Sequence, residues 1–316
     1  MTLLAVRDLR IYYKSILGDY KVVDGVSFKV DENEIFGIAG ESGCGKSTLV
    51  EGILRLIRPP GYIKSGEIIF KGRNILQLDE ESLRKIRWKE ISYIPQGSMS
   101  SLNPVMRIED QIIDAILTHT NISKKEAKEM VPELLKKVGL PPDCGNLYPC
   151  ELSGGMKQRV IIAMAVALMP SLVIADEPTT ALDLVIQKVI LQSLINLNKE
   201  YKIAIVLVSH DMAVHAQTTN RMAIMYAGKI VEIGSTEEIF YDPLHPYTRG
   251  LVNAIPSLEK KKLKYIPGIS PSPLNWPPGC RFHPRCPYAI EICRNEEPKL
   301  KEIEPGRFVA CHQWGD

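Results

Sequence analysis

Residues 40–48, GESGCGKST, set Gly40, Gly45, Lys46 and Ser47 at the spacing of a phosphate-binding loop, behind the apolar run 34–39 and ahead of a helical pattern. The residue types suit the task. Glycines let backbone N–H groups wrap phosphate oxygens, a lysine neutralises the β and γ groups, and a hydroxyl next to it can bind Mg²⁺. Gly40, Ser42, Gly43, Cys44, Gly45, Lys46, Ser47 and Thr48 are therefore the candidate contacts to ATP, with Cys44 read as a small residue that fits. A second apolar run, SLVIADEP (171–178), ends in Asp176 and Glu177. Asp176 is placed to hold Mg²⁺ through water, and Glu177 to orient and polarise an attacking water. Capping of the next helix is the plain alternative for this acidic pair, weak beside a phosphate loop.

Four of the seven cysteines fall in the last 37 residues: Cys280, Cys286, Cys293 and Cys311, separated by five, six and seventeen residues. None has the C-x-x-C spacing of a zinc ribbon. Four thiolates complete a tetrahedral set for either Zn²⁺ or an iron–sulfur cluster. His283 and His312 lie nearby and are read as bystanders. A tail so rich in proline and charge cannot build its own core, so a metal staple explains its folding without a redox role.

The elements that must position these groups follow from periodicity. EIFGIAG, SLVIAD and KIAIVLVSH are buried-strand runs, each followed by a helical pattern, which implies a largely parallel sheet with helices on its faces. LLAVRDLRIYY, YKVVDGVSFKVD and GEIIFKG read as shorter strands of an antiparallel layer. Between about 97 and 169 the apolar residues recur at helical spacing, which marks a helical subdomain. The expected fold is α/β: a phosphate-loop NTPase core with a parallel sheet, an N-terminal antiparallel β layer, a helical subdomain and a small C-terminal metal-binding tail. The expected boundaries are 1–254 for the nucleotide-binding domain and 255–316 for linker and cysteine region.

Composition narrows the classes. The chain has 316 residues, 45% hydrophobic and 24% charged, with a net charge of +2, so its field alone gives no case for nucleic acid. The run Lys260, Lys261, Lys262 and Lys264 reads as a solvated linker. The start has no secretion pattern, and the apolar windows 160–169 and 203–208 fall short of the roughly 20 residues of a membrane span. Free, clustered thiols fit a reducing compartment.

One string is family-specific. LSGGMKQR (152–159), about 110 residues after the phosphate loop and shortly before ADEP, resembles the signature of the ATP-binding-cassette ATPases. Ser153, Gly154 and Gly155 open a helix whose N-terminal N–H groups can receive a phosphate. In that family the phosphate belongs to ATP held by the other subunit, so the resemblance implies a second, homologous or identical ATPase subunit. It further implies that Gln96 in SYIPQ reaches Mg²⁺, Asp183 in TTALD lies at the dimer interface, and His210 in LVSHD contacts the γ-phosphate. The adenine-stacking aromatic is matched best by Tyr13, with Tyr12 as the fallback.

GESGCGKS, IPQGSMSSLNPVM, YPCELSGGMKQR, HPYTRGL and the cysteine tail together look like the peptide-importer branch. Two positions depart from it: Cys150 where His is expected, and Lys157 where Arg is common. Neither removes a group the chemistry needs. The branch implies two transmembrane permeases, an external substrate-binding protein, a place on the cytoplasmic face of the membrane, and no nucleic acid. It also tilts the tail toward a 4Fe–4S cluster, with Zn²⁺ as the alternative. The resemblance implies an ATP-hydrolysing subunit that powers import of di- or oligopeptides, with nickel or oligosaccharide import as the alternative, since relatives in the branch also import nickel or short sugars. A soluble cassette acting on nucleic acid is the reading from another class, but neither a coiled-coil insertion nor a second cassette is present in this sequence.

Overall fold

The computed structural model describes residues 1–255 and 265–314, so the lysine run at 260–264 lies outside the described residues. The chain divides into two compact units: Met1–Asp31, Phe36–Gln77 and Val208–Asp316 form the first, Glu32–Ile35 and Leu78–Leu207 the second.

In the first unit, β1 (Thr2–Ser15) and β2 (Gly18–Asp31) form a long antiparallel hairpin. Then β3 (Ile35–Ala39), buried at all five positions, runs into the phosphate loop and α1 (Lys46–Ile53). The apolar pattern predicts this helix as far as 57, but it stops four residues earlier. Arg55 takes a left-handed φ of 52°, and the Leu56 and Arg55 N–H groups donate to the carbonyls of Glu51 (2.8 Å) and Gly52 (3.0 Å). That is a Schellman ending with arginine in the glycine position. β4 (Gly61–Phe70) and β5 (Arg73–Asn74) complete a sheet ordered β2-β1-β4-β5, the expected antiparallel layer. Its strands are not the short ones expected, since β1, β2 and β4 have 14, 14 and 10 residues, the glycine turns falling within paired strands rather than ending them.

The second unit holds α2 (Glu80–Ile86), β6 (Ile91–Ile94), α3 (Ile108–His119), α4 (Lys124–Lys137), α5 (Gly154–Ala165), β7 (Leu172–Asp176), α6 (Leu184–Tyr201) and β8 (Ala204–Ser209). Its strands lie in the order β8-β7-β6, and β6 pairs with β7 in parallel. The three helices expected between 97 and 169 are α3, α4 and α5. A capping box starts α4: the Glu126 N–H donates to Ser123 Oγ (3.2 Å) and the Ser123 N–H to Glu126 Oε2 (2.8 Å).

The chain returns to the first unit with α7 (Met212–Thr218), β9 (Arg221–Tyr226), β10 (Lys229–Ser235), α8 (Thr236–Tyr241), α9 (Pro246–Asn253), α10 (Ile292–Asn295), β11 (Lys301–Glu304) and β12 (Arg307–Val309). The strand order here is β11-β12-β10-β9-β3. β9 lies parallel to β3, as the alternating pattern predicts, but β10, β12 and β11 are antiparallel. The reversal is local. Ala227 and Gly228 both have positive φ (48° and 81°), the two-residue hairpin turn that fits strand twist.

The C-terminal region packs into this unit as well as following it. Phe282, 3% exposed, sits in a cluster with Tyr226 and Tyr247, ring centroids 5.2 and 5.4 Å away, and Ile266, Trp276, Cys280 and Cys286 pack against the same cluster. Buried Glu232 on β10 accepts from the N–H groups of Leu244 (2.7 Å) and His245 (2.9 Å), which fixes the start of α9 beneath the aromatics.

Candidate functional site

The phosphate loop connects a fully buried strand to the first turn of α1, so its backbone is held at both ends. Gly40, Gly43 and Gly45 all have positive φ, and the loop leads into the first turn of α1, where helix N–H groups can receive an anion. Lys46 is 6% exposed; its Nζ donates to the carbonyls of Gly40 (2.8 Å) and Glu41 (3.0 Å), folded back into the cradle that phosphate oxygens would occupy. Burial pushes the Cys44 thiol up despite the nearby Lys46, so it is a neutral filler at neutral pH, as its size suggests. Ser47 and Thr48 begin α1 behind Lys46.

Tyr12 and Tyr13 alternate across β1. Tyr12 is buried and its hydroxyl donates to Asp24 Oδ1 (2.7 Å), which leaves the half-buried Tyr13 as the aromatic with a face to offer. His210 follows β8 and is exposed, one residue before Asp211, which caps α7 by accepting from the Ala213 N–H (2.8 Å). Tyr13, the phosphate loop and His210 thus belong to the first unit.

The second unit carries the remaining candidates. Asp176 ends β7 and is 1% exposed; the Tyr93 hydroxyl donates to its Oδ2 at 3.5 Å. Glu177 takes a left-handed φ of 50°, a conformation that costs a non-glycine residue about 1–3 kcal/mol. It is held there by Thr180, whose Oγ1 donates to Glu177 Oε2 (2.9 Å) and whose N–H donates to the Glu177 carbonyl (3.2 Å). Strain of this kind aims a side chain that regular backbone would turn elsewhere. Glu177 caps no helix; Asp183 does, its Oδ1 accepting from the N–H groups of Val185 (3.0 Å) and Ile186 (2.9 Å) at the start of α6.

Ser153 caps α5 by accepting from the Met156 N–H (3.3 Å), with Ser153 and Gly154 exposed and Gly155 buried against α6. A Cβ on Gly155 would lie 2.3 Å from Ile186 Cγ2, so only glycine lets the two helix starts touch. Gln96 is exposed after β6, and its loop is tied to α5 by Ser98 Oγ donating to Gln158 Oε1 (3.0 Å), a link no local pattern announces. Cys150, the departure from the branch, is exposed, and Lys157 is half-buried on α5.

The four tail cysteines, distant in sequence, converge. Burial raises the Cys280 thiol to about 11, and the Cys293, Cys311 and Cys286 thiols each add to the shift. Cys286 and Cys311 are also raised, first by burial; Cys293 acts on both, and Cys286 on Cys311. Every pair among the four therefore interacts. All four are free thiols, and among the described residues no group of three or more His, Cys, Asp or Glu side chains is arranged to hold a metal ion.

With this geometry in view, comparison with known proteins is decisive. The family model described as ABC transporter matches residues 23–180, and the dipeptide transport ATP-binding protein DppD of Caldanaerobacter subterraneus subsp. tengcongensis is 46% identical over 98% of this chain and 96% of its own length. The chain belongs to the ABC transporter family. As an ABC ATPase it binds and hydrolyses ATP. The oligopeptide transport ATP-binding protein OppD of Bacillus subtilis is 45% identical over 97% of this chain and 87% of its own. Among solved structures, a dimeric post-hydrolysis state of the ATP-binding cassette MJ0796 bound to ADP and Pi aligns with a TM-score of 0.66 and 29% identity, covering 74% of this ABC ATPase and 98% of that chain. A second model, described as oligopeptide/dipeptide transporter, C-terminal region, matches residues 231–293. No helix among the described residues is long and apolar enough to cross a membrane.

Several contributors to the site are invisible to motif reading. Glu41, Asp24, Tyr247, Arg281 and Arg285 all bond around the phosphate loop or the aromatic strand, from sequence positions up to 257 residues apart. The signal available was the pair of arginines inside CRFHPRC, which periodicity does not distinguish from solvated charge.

Proposed function

We propose that this ATPase powers import of di- or oligopeptides through a pair of membrane permeases that it meets at the cytoplasmic face of the membrane. The observation that carries the reading is the match of residues 231–293 to the oligopeptide/dipeptide transporter C-terminal region, alongside near full-length likeness to DppD and OppD. Lys46 and the N–H groups at the start of α1 would hold the β and γ phosphates; Ser47 is the Mg²⁺ ligand of the first unit, and Asp176 and Gln96 are the residues of the second that would serve that ion. Tyr13 stacks on adenine. Glu177 polarises the attacking water and His210 senses the γ-phosphate. Ser153, Gly154, Gly155 and Asp183 face the nucleotide of a second ATPase subunit. An external binding protein chooses the peptide. The test is reconstitution with the permeases: di- or tripeptide delivered by the binding protein should raise the ATPase rate. Stimulation by nickel or an oligosaccharide instead, or retention on DNA or RNA without permease, would overturn it.

By the same reading the tail holds a 4Fe–4S cluster on Cys280, Cys286, Cys293 and Cys311. Support comes from the four thiols acting on one another, Cys293 buried and Cys280, Cys286 and Cys311 half-buried. Bound there, the group would cross-link segments of the tail. Protein purified without oxygen should contain about four iron and four sulfide per chain with broad brown absorbance. About one zinc per chain would replace the cluster by a redox-inert staple.

A further inference from the structure

The bracket between Cys280 and Cys286 is wired into the nucleotide site. Arg285, one residue before Cys286, grips Glu41 of the phosphate loop with both guanidinium nitrogens: Nη1 to Oε2 at 2.8 Å and Nη2 to Oε1 at 2.9 Å. The arginine side chain is 6% exposed and the glutamate 27%, so this is a shielded, bidentate pair rather than a surface one. Its fork is fixed from behind by Nε donating to the Pro267 carbonyl (2.8 Å) and by the Tyr226 ring, 5.7 Å away. Glu41 is held a second time through its N–H, which donates to the Tyr247 hydroxyl (2.9 Å), and its carbonyl accepts from Lys46 Nζ (3.0 Å). At the other end of the bracket Arg281, stacked on Trp276, bonds Asp24, the partner of the Tyr12 hydroxyl beside Tyr13.

We infer that Arg285 is a positioning residue for ATP: it neutralises Glu41 and fixes the start of the phosphate loop, so that the fold of the cysteine tail sets nucleotide affinity. A carboxylate inside the loop that receives a triphosphate is a liability unless a cation is bound to it. Remove Arg285 and two things follow. The loop loses one of its anchors, and an unpaired negative charge sits beside the phosphates, where it opposes binding without altering the attacking water or Glu177.

The inference rests on the ATPase reading and on no metal. In the full chain, Arg285→Ala should raise the KM for MgATP about tenfold and leave kcat within about twofold, with wild-type metal content. Adding Glu41→Gln to that variant removes the unpaired charge and should return KM to within about threefold of wild type. Should Arg285→Ala fail to fold, Arg285→Lys keeps the charge but only one of the two bonds, and KM should rise about threefold. An unchanged KM in whichever single variant folds, or a double variant no better than Arg285→Ala, would overturn the proposal. A wild-type chain that hydrolyses no ATP at all would instead count against the ATPase reading.

Discussion

Glu177→Gln is expected to slow ATP hydrolysis by about 10²–10⁴-fold, the range spanned by a general base, while MgATP still binds within a few-fold of wild type. The substitution is close to isosteric. Glutamine can still accept from Thr180 Oγ1, so the strained turn at φ 50° survives and only the basic carboxylate is lost. Because binding is spared and turnover is not, the variant should accumulate with ATP bound, and as a dimer if the sandwich arrangement of the family applies. Single-turnover hydrolysis and size-exclusion with ATP check both halves. Hydrolysis at the wild-type rate would remove Glu177 from the role and point to another group.

The second large effect is steric. A Cβ at Gly40 would lie 2.1 Å from the Met225 carbonyl oxygen and 2.9 Å from Cys44 Sγ, at a φ of +152°. A backbone carbonyl within β9 cannot swing aside as a side-chain tip can, so the loop itself must move. Gly40→Ala should therefore abolish measurable ATP binding, at least a hundredfold loss by calorimetry, and lower stability by about 1–3 kcal/mol. Gly72→Ala is the matched control: φ is +76° but nothing lies within 4 Å, so only the left-handed penalty of about 1–2 kcal/mol applies and ATP binding is untouched. Equal loss of binding in both would show that general destabilisation, not loop geometry, was being measured.

What the sequence made legible was local. The phosphate loop, the SGG helix start and the helices α3 and α4 depend on neighbours within a few residues, and each stands within three residues of its pattern. Ends were less legible: α5 stops at Ala165, four residues short of its apolar run, and β4 starts at Gly61, five residues ahead of GEIIFKG. The early end of α1 was hidden because arginine, not glycine, takes the left-handed position. The antiparallel turn at Ala227 and Gly228 was hidden because alanine does not advertise positive φ. The bonds around the loop were hidden for a different reason. Glu41 and Arg285 are 244 residues apart, Ser98 and Gln158 are 60 apart, and no periodicity relates partners of that kind. The C-terminal region shows the same limit, since its prolines and charges conceal that Phe282 joins, and Trp276 packs against, a core drawn from β3, α7, β9, β10, α8 and α9.

The pairing of β12 with β10, through Glu232 with Val309 and Ile233 with Phe308, has a bearing on solubility. Without β12, one side of β10 would be a row of unsatisfied backbone donors and acceptors, a template for another chain. β12 occupies the middle of that side and shifts the margin there to β11, four residues long, exposed throughout and carrying Lys301, Glu302 and Glu304. A short, charged margin disfavours the edge-to-edge pairing that a long apolar one would recruit.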